Sequence, residues 1–132
     1  MMRRLDQRGT AAFEFCLVAG AFFTLVFAIF DLGRYLITVQ SLEALAGAGA
    51  RAITIHNCYV DYVLQKLPPS GCPSDPLPDS KDQIAPFLVA PALSVTTGSS
   101  PITVTASSTF AMLMPIWPAT FNSPMVTTKI PY

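Results

Sequence analysis

The chain has 132 residues, 52% of them hydrophobic and only 12% charged, against about 25% charged in an ordinary soluble domain. Eight Lys and Arg balance eight Asp and Glu, so no net field draws the chain to nucleic acid or another polyanion. One histidine and three scattered cysteines do not make a classical zinc site, and no glycine-rich run cradles phosphate. The composition therefore calls for no metal, no cofactor and no small-molecule substrate.

All twelve prolines fall at or beyond Pro68, so the first 67 residues are free to form long uninterrupted helix and the rest are not. Between Glu14 and Asp31 runs FCLVAGAFFTLVFAIF, sixteen residues without a formal charge. Counted from Thr10, the run rises about 30 Å as a helix, the thickness of a bilayer's hydrocarbon core. Arg3, Arg4 and Arg8 precede it, opposed by Asp6 alone, and a basic flank stays on the cytoplasmic side. A buried core helix and a cleaved secretory signal are the rival readings. The all-round apolar surface and arginine flank favour the membrane over the first, and Glu14 inside the apolar region argues against the second.

Beyond Asp31 the sequence shows no helix stop. Leu32, Leu36, Val39, Leu42, Leu45 and Ala46 recur at spacings of three and four among Arg34, Thr38, Ser41 and Glu43, predicting that the helix continues as an amphipathic rod. Gly47 and Gly49 each cost about 1 kcal/mol against Ala in a helix, so fraying or close backbone packing is expected there, with the helix ending near Ile55. Val60, Val63, Leu64 and Leu67 predict a short second helix over 59–67, stopped by Pro68 and Pro69. A turn-rich loop follows. From Gln83 to Thr128 there is no charge at all, yet recurrent Pro, Ser and Thr exclude a second span. Ile102, Val104 and Ala106 alternate with Thr103, Thr105 and Ser107 in the period of a half-buried strand, and LSVTT and MVTTKI supply two more. The expected fold is α+β: a long N-terminal transmembrane helix continuing into an amphipathic rod, with a small antiparallel sheet as its head.

Glu14 is the most informative side chain. A carboxylate near the centre of an apolar span costs about 2.5–3.5 kcal/mol on insertion scales, less near an interface. If the chain is cut after Gly9, Thr10 becomes a free amine, and Glu14 can pair with that amine on a neighbouring subunit in low dielectric. The alternative is a first-turn glutamate that snorkels to the headgroups and complements the helix dipole.

The run RGTAAFEF, the Leu17–Val18 pair, DLGR at 31–34 and GAR at 49–51 resemble the TadE-like pseudopilins of tight-adherence (Flp) pilus systems. Arg8, Gly9, Glu14, Asp31, Gly33, Arg34, Gly49, Ala50 and Arg51 fall on the family's motif positions. The resemblance covers residues 3–55 and continues weakly in ITVTAS. It implies cutting between Gly9 and Thr10 by a prepilin peptidase, which gives a leader over 1–9, a transmembrane segment over 10–31 and a periplasmic pilin-like domain over 32–132. That domain divides into a helix extension (32–55), a second helix with a Pro-rich loop (56–92) and a sheet (93–132). Two positions depart from the family: Gly20 stands where proline is common, and Thr10 differs from the aromatic first residue of mature classical pilins.

Asp31 and Arg34, three apart, are expected to pair at the membrane boundary, a contact worth a few tenths of a kcal/mol when exposed. Arg51 reads as a charge near the helix C-terminus. Cys58 and Cys72 enclose a 13-residue loop. In an oxidising periplasm a bridge between them is worth about 3 kcal/mol by loop entropy. Cys16 reads as an inert apolar residue of the span. His56 and Cys58 form a weak nucleophile–base candidate with no third orienting group. Tyr35, Phe110, Trp117, Phe121 and Tyr132 read as core or boundary aromatics, and the uncharged stretch 83–128 as an interface for another subunit.

The reading is a non-enzymatic, bitopic inner-membrane pseudopilin with its N-terminus cytoplasmic and its head periplasmic. Its expected partners are the membrane, the peptidase and other pseudopilins with the pilus assembly machinery, in which it supports assembly as a minor subunit. An uncleaved, signal-anchored periplasmic interaction protein is the first alternative, and a membrane-tethered hydrolase using Cys58 and His56 the second.

Overall fold

The computed structural model describes residues 7–56, 59–60, 63–64, 71–97 and 101–131. One helix, α1 (Gln7–Ile55), runs unbroken for 49 residues, about 73 Å at the standard rise. It carries no proline, and its glycines do not interrupt it. A short turn of helix, α2 (Lys81–Ile84), precedes three strands: β1 (Val89–Thr96), β2 (Ile102–Thr109) and β3 (Met125–Ile130). The strands form one antiparallel sheet in the order β1-β2-β3. This is the expected α+β arrangement, and the helix ends where expected.

The sheet lays one face on the C-terminal half of α1. Ile102, Val104, Ala106 and Ser108 of the central strand point inward and are buried, while Thr103, Thr105 and Ser107 are half-buried on the other face. Leu93 and Ile130 from the flanking strands complete that side of the core, and Leu42, Leu45, Ala46 and Ile53 form the helix side. On the outer face Thr105 stands opposite Thr127 in register, their hydroxyls 3.4 Å apart. The strand starting at Val89 begins before LSVTT. Its first residues bulge between Val89 and Ala92, with Ala90 at positive φ beside Pro91, which an edge strand tolerates because its outer N–H positions need no partner.

Gly49 is the point of closest approach. A Cβ there would lie 2.9 Å from Leu93 Cδ2 and 3.2 Å from Val104 Cγ1, so the missing side chain is what lets the sheet close on the helix. Of the two outcomes expected for this glycine, fraying and close packing, the second holds. Gly47, by contrast, faces open space.

Between the sheet and the helix end, Asp75 accepts a hydrogen bond from Leu77 N at 3.2 Å and pairs with Lys81, fixing the loop ahead of α2. Ser74 O accepts from Val95 N at 3.0 Å, tying that loop to β1. The second helix expected over 59–67 lies largely outside the described residues; Tyr59, Val60, Val63 and Leu64 are helical. Residues 1–6, Cys58, Pro68, Pro69 and Tyr132 also lie outside them.

Two glycines one helical half-turn apart should respond oppositely. Gly49→Leu overpacks the junction and is expected to destabilise the head by about 1–3 kcal/mol. Gly47→Ala removes the glycine penalty without a clash and should stabilise by up to about 1 kcal/mol. Denaturant unfolding of the micelle-bound chain, followed by circular dichroism, measures both.

Candidate functional site

Apart from Glu14 and Thr24, residues 13–30 of α1 are apolar and exposed on nearly every side: Phe13, Phe15, Leu17, Val18, Phe22, Phe23, Leu25, Ile29 and Phe30 are all more than half exposed. A helix with no polar face and no protein cover is suited to hydrocarbon, not water. Glu14 is exposed near the start of this segment. Gly9 and Thr10 lie within the first turns of the same helix, and a Cβ at Gly9 would meet nothing within 4 Å. The side chain of Arg8 is not among the described ones.

The helix changes character at Asp31, the only acidic residue between Glu14 and Glu43. Its side chain is fully buried. Oδ1 accepts a hydrogen bond from Leu113 N at 3.0 Å, and Oδ2 accepts one from Met114 N at 2.9 Å. Two peptide N–H groups of the β2–β3 connection thus converge on one carboxylate, each a charge-assisted bond. Arg34 Nη1 lies 3.6 Å from Oδ1, with the guanidinium carbon 5.3 Å from the centre of the Phe110 ring. Here the exposed boundary pair expected from spacing is corrected. Arg34 remains half exposed, but Asp31 is withdrawn from solvent, because a bound loop supplies the hydrogen bonds that water would otherwise give.

Aromatic rings extend the same contact up the helix. Tyr35, one turn beyond Asp31, meets Phe110 at 5.8 Å and Phe121 at 5.0 Å between centroids, both edge-on, and Trp117 stands 5.9 Å from Phe121. Edge-to-face pairs of this kind contribute about 0.5–1.5 kcal/mol beyond the area they bury. Phe110 N donates to Asn122 O at 2.9 Å, so the connection closes on itself at its base. The Trp117 indole N–H is buried without a hydrogen-bond partner. Four of the aromatics expected as core or boundary residues therefore form one cluster that holds the connection against α1.

The other motif residues are dispersed along the rod. Gly33 faces open space, Gly49 receives the sheet, Ala50 packs beside the core, and Arg51 is exposed. Thr54 Oγ1 donates to Arg51 O at 2.8 Å in the last turn. Cys16 is free and exposed on the span, Cys72 is half-buried and disulfide-bonded, and Cys58 lies outside the described residues. His56 N bonds to the carbonyls of Ala52 and Ile53 at the helix end. The hydrolase candidate of His56 with Cys58 thus falls partly outside the described residues. Among the described residues no three His, Cys, Asp or Glu gather as metal ligands would.

A single long apolar helix, exposed along its first half and bearing a small folded head on its second, fits a single-pass membrane anchor. Residues 9–51 match the family model described as TadE-like protein, so the helix-bearing part of the chain is similar to that family. No curated protein and no solved structure matches the chain.

Removing the carboxylate tests its hold on the connection. Asp31→Ala leaves two part-buried N–H groups without their acceptor and is expected to cost roughly 1–3 kcal/mol. Residues 111–118 should become the first site nicked in limited proteolysis. Asp31→Asn retains an accepting oxygen and should fall between wild type and Asp31→Ala.

Proposed function

We propose that the protein is a minor pseudopilin that supports assembly of a tight-adherence pilus and is cut after Gly9 by a prepilin peptidase. The observation that carries this is the placing of Gly9, Thr10 and Glu14 on one apolar helix within the TadE-like match. In this reading the basic N-terminal flank stays cytoplasmic and the head lies in the periplasm. The scissile bond lies within helix, so cutting requires the first turns to open. Gly9 eases that opening, being about 1 kcal/mol less favourable in a helix than Ala, and gives the protease close access to the backbone.

After cutting, the new amine of Thr10 lies about one helical turn from Glu14. Among the described residues none pairs with Glu14, which is exposed to whatever surrounds the span. A neighbouring subunit that offers its amine to this carboxylate in low dielectric sets the axial register of packed helices. Packing of the exposed apolar helix surfaces supplies the rest of the association. The protein's role is thus structural, with no chemistry of its own. Cys72 is assigned Cys58 as its partner, a bridge that closes the loop leading into the sheet.

Co-expression with the peptidase should yield a chain beginning at Thr10, read by intact mass or N-terminal sequencing, and Gly9→Val should leave residues 1–9 in place. A native chain that retains its leader overturns the reading in favour of an uncleaved envelope interaction protein. Glu14→Ala should insert normally but reduce piliation, and unchanged piliation would remove its assigned role. Under oxidising conditions Cys58 and Cys72 should resist thiol labelling until reduced, while Cys16 gives no such change.

A further inference from the structure

Between residues 31 and 38 the helix is arranged inside out. Asp31 and Thr38 are buried against the head and Tyr35 is half-buried there, whereas Leu32 and Leu36 are 46% and 52% exposed away from it and Ile37 is 53% exposed at the margin of the contact. A rod standing in water places its apolar residues against the head and its polar ones outward. The leucines expected to form the buried stripe point away from it over these two turns and join it only from Leu42 onward. The apolar surface of the span therefore runs past Asp31 to Ile37, alongside the part of the head that Asp31 holds.

That part of the head is itself apolar outward. The bonds from Leu113 N and Met114 N to Asp31 hold the connection at the end of the span, and Leu113 and Ile116 are 64% and 61% exposed. The same pole of the sheet carries Phe87, Val89 and Met125, each about two-thirds or more exposed, and Phe87 and Val89 line a groove of about 320 Å³ whose helix side is Arg34, Ile37 and Thr38. No charged residue occurs from Gln83 to Thr128. The charges at this level are Asp31, already satisfied, and Arg34, half exposed and able to extend to lipid phosphates.

We infer that this pole is a second membrane contact: Leu113 and Ile116, flanked by Phe87, Val89 and Met125, enter the interfacial layer of the same bilayer that α1 crosses. The inference rests on α1 being a membrane span. Lipid is favoured over a partner protein because the patch is continuous with the exposed surface of the span and stands at its end. Depth is limited by the backbone. The irregular chain of residues 110–118 needs headgroups and water for its free N–H and C=O groups, so it stops in the interface and does not enter the hydrocarbon.

Trp117 is the single tryptophan of the chain and lies in this connection, so its fluorescence reports the contact. The full chain is reconstituted in phosphatidylcholine–phosphatidylglycerol vesicles that carry nitroxide either near the headgroup or at the end of the acyl chain. Trp117 emission should be quenched more by the shallow label than by the deep one, and little by aqueous iodide. Leu113→Ser with Ile116→Asp changes two exposed side chains and adds no charge on the residue bonded to Asp31, so the unfolding transition of the head should be preserved while the lipid quenching is lost. A chain that floats with the vesicles but is quenched by iodide and not by lipid nitroxide overturns the contact and leaves the anchor standing, with the patch then open to a protein partner. Equal lipid quenching in wild type and double variant also overturns it. A chain that does not float with vesicles overturns the anchor and the contact together.

Discussion

A carboxylate at the end of an apolar helix has to find hydrogen-bond donors, and the way Asp31 finds them organises the head. Withdrawn from water without partners, it would be prohibitively unstable as an anion. Two consecutive peptide N–H groups at 3.0 and 2.9 Å, with Arg34 beside them, meet that need. Because peptide donors are fixed to the backbone, satisfying the charge also fixes the path of the β2–β3 connection. The Tyr35, Phe110, Phe121 and Trp117 rings then close over the helix one turn further on. At the other end of the sheet the requirement is steric, and Gly49 meets it by presenting no side chain to Leu93 and Val104. An electrostatic tie low on the helix and a backbone contact higher up define how the sheet lies along the rod.

The TadE-like match over residues 9–51 includes both of these points. It therefore spans the surface that receives the head as well as the span itself, while the sheet lies outside it. The helix contributes the acceptor, the first aromatic ring and the glycine. The head contributes generic partners to each: two peptide groups, three further rings and two aliphatic side chains.

Much of this architecture was legible from local rules. The absence of proline before Pro68 marks the unbroken helix, Ile55 its end, and the Ile102–Ser107 alternation the central strand with its inward face. Met125–Ile130 was readable in the same way. The first strand was legible only in part, since Pro91 masks the residues before LSVTT and only an edge position with a bulge accommodates them. The two turns after Asp31 were misread, because periodicity assigns apolar residues to the core on the assumption that water is on the other side. Leu32, Leu36 and Ile37 are instead exposed, and the stripe turned to the head is the polar one of Asp31, Tyr35 and Thr38 at spacings of four and three. The partners of Asp31 were beyond sequence reasoning altogether, since backbone N–H groups carry no residue signature.

The separation along the chain between Asp31 and its donors, 82 and 83 residues, sets an order of events during biosynthesis. In the proposed orientation, a helix emerging into the bilayer presents this carboxylate long before the peptide groups that will enclose it have been translocated. Through that interval the anion must remain hydrated at the lipid margin, which opposes the helix sliding deeper into the membrane. Arrival of residues 110–118 then converts a temporary depth stop into a permanent structural joint, so completion of the head is also the step that locks the helix at its final height.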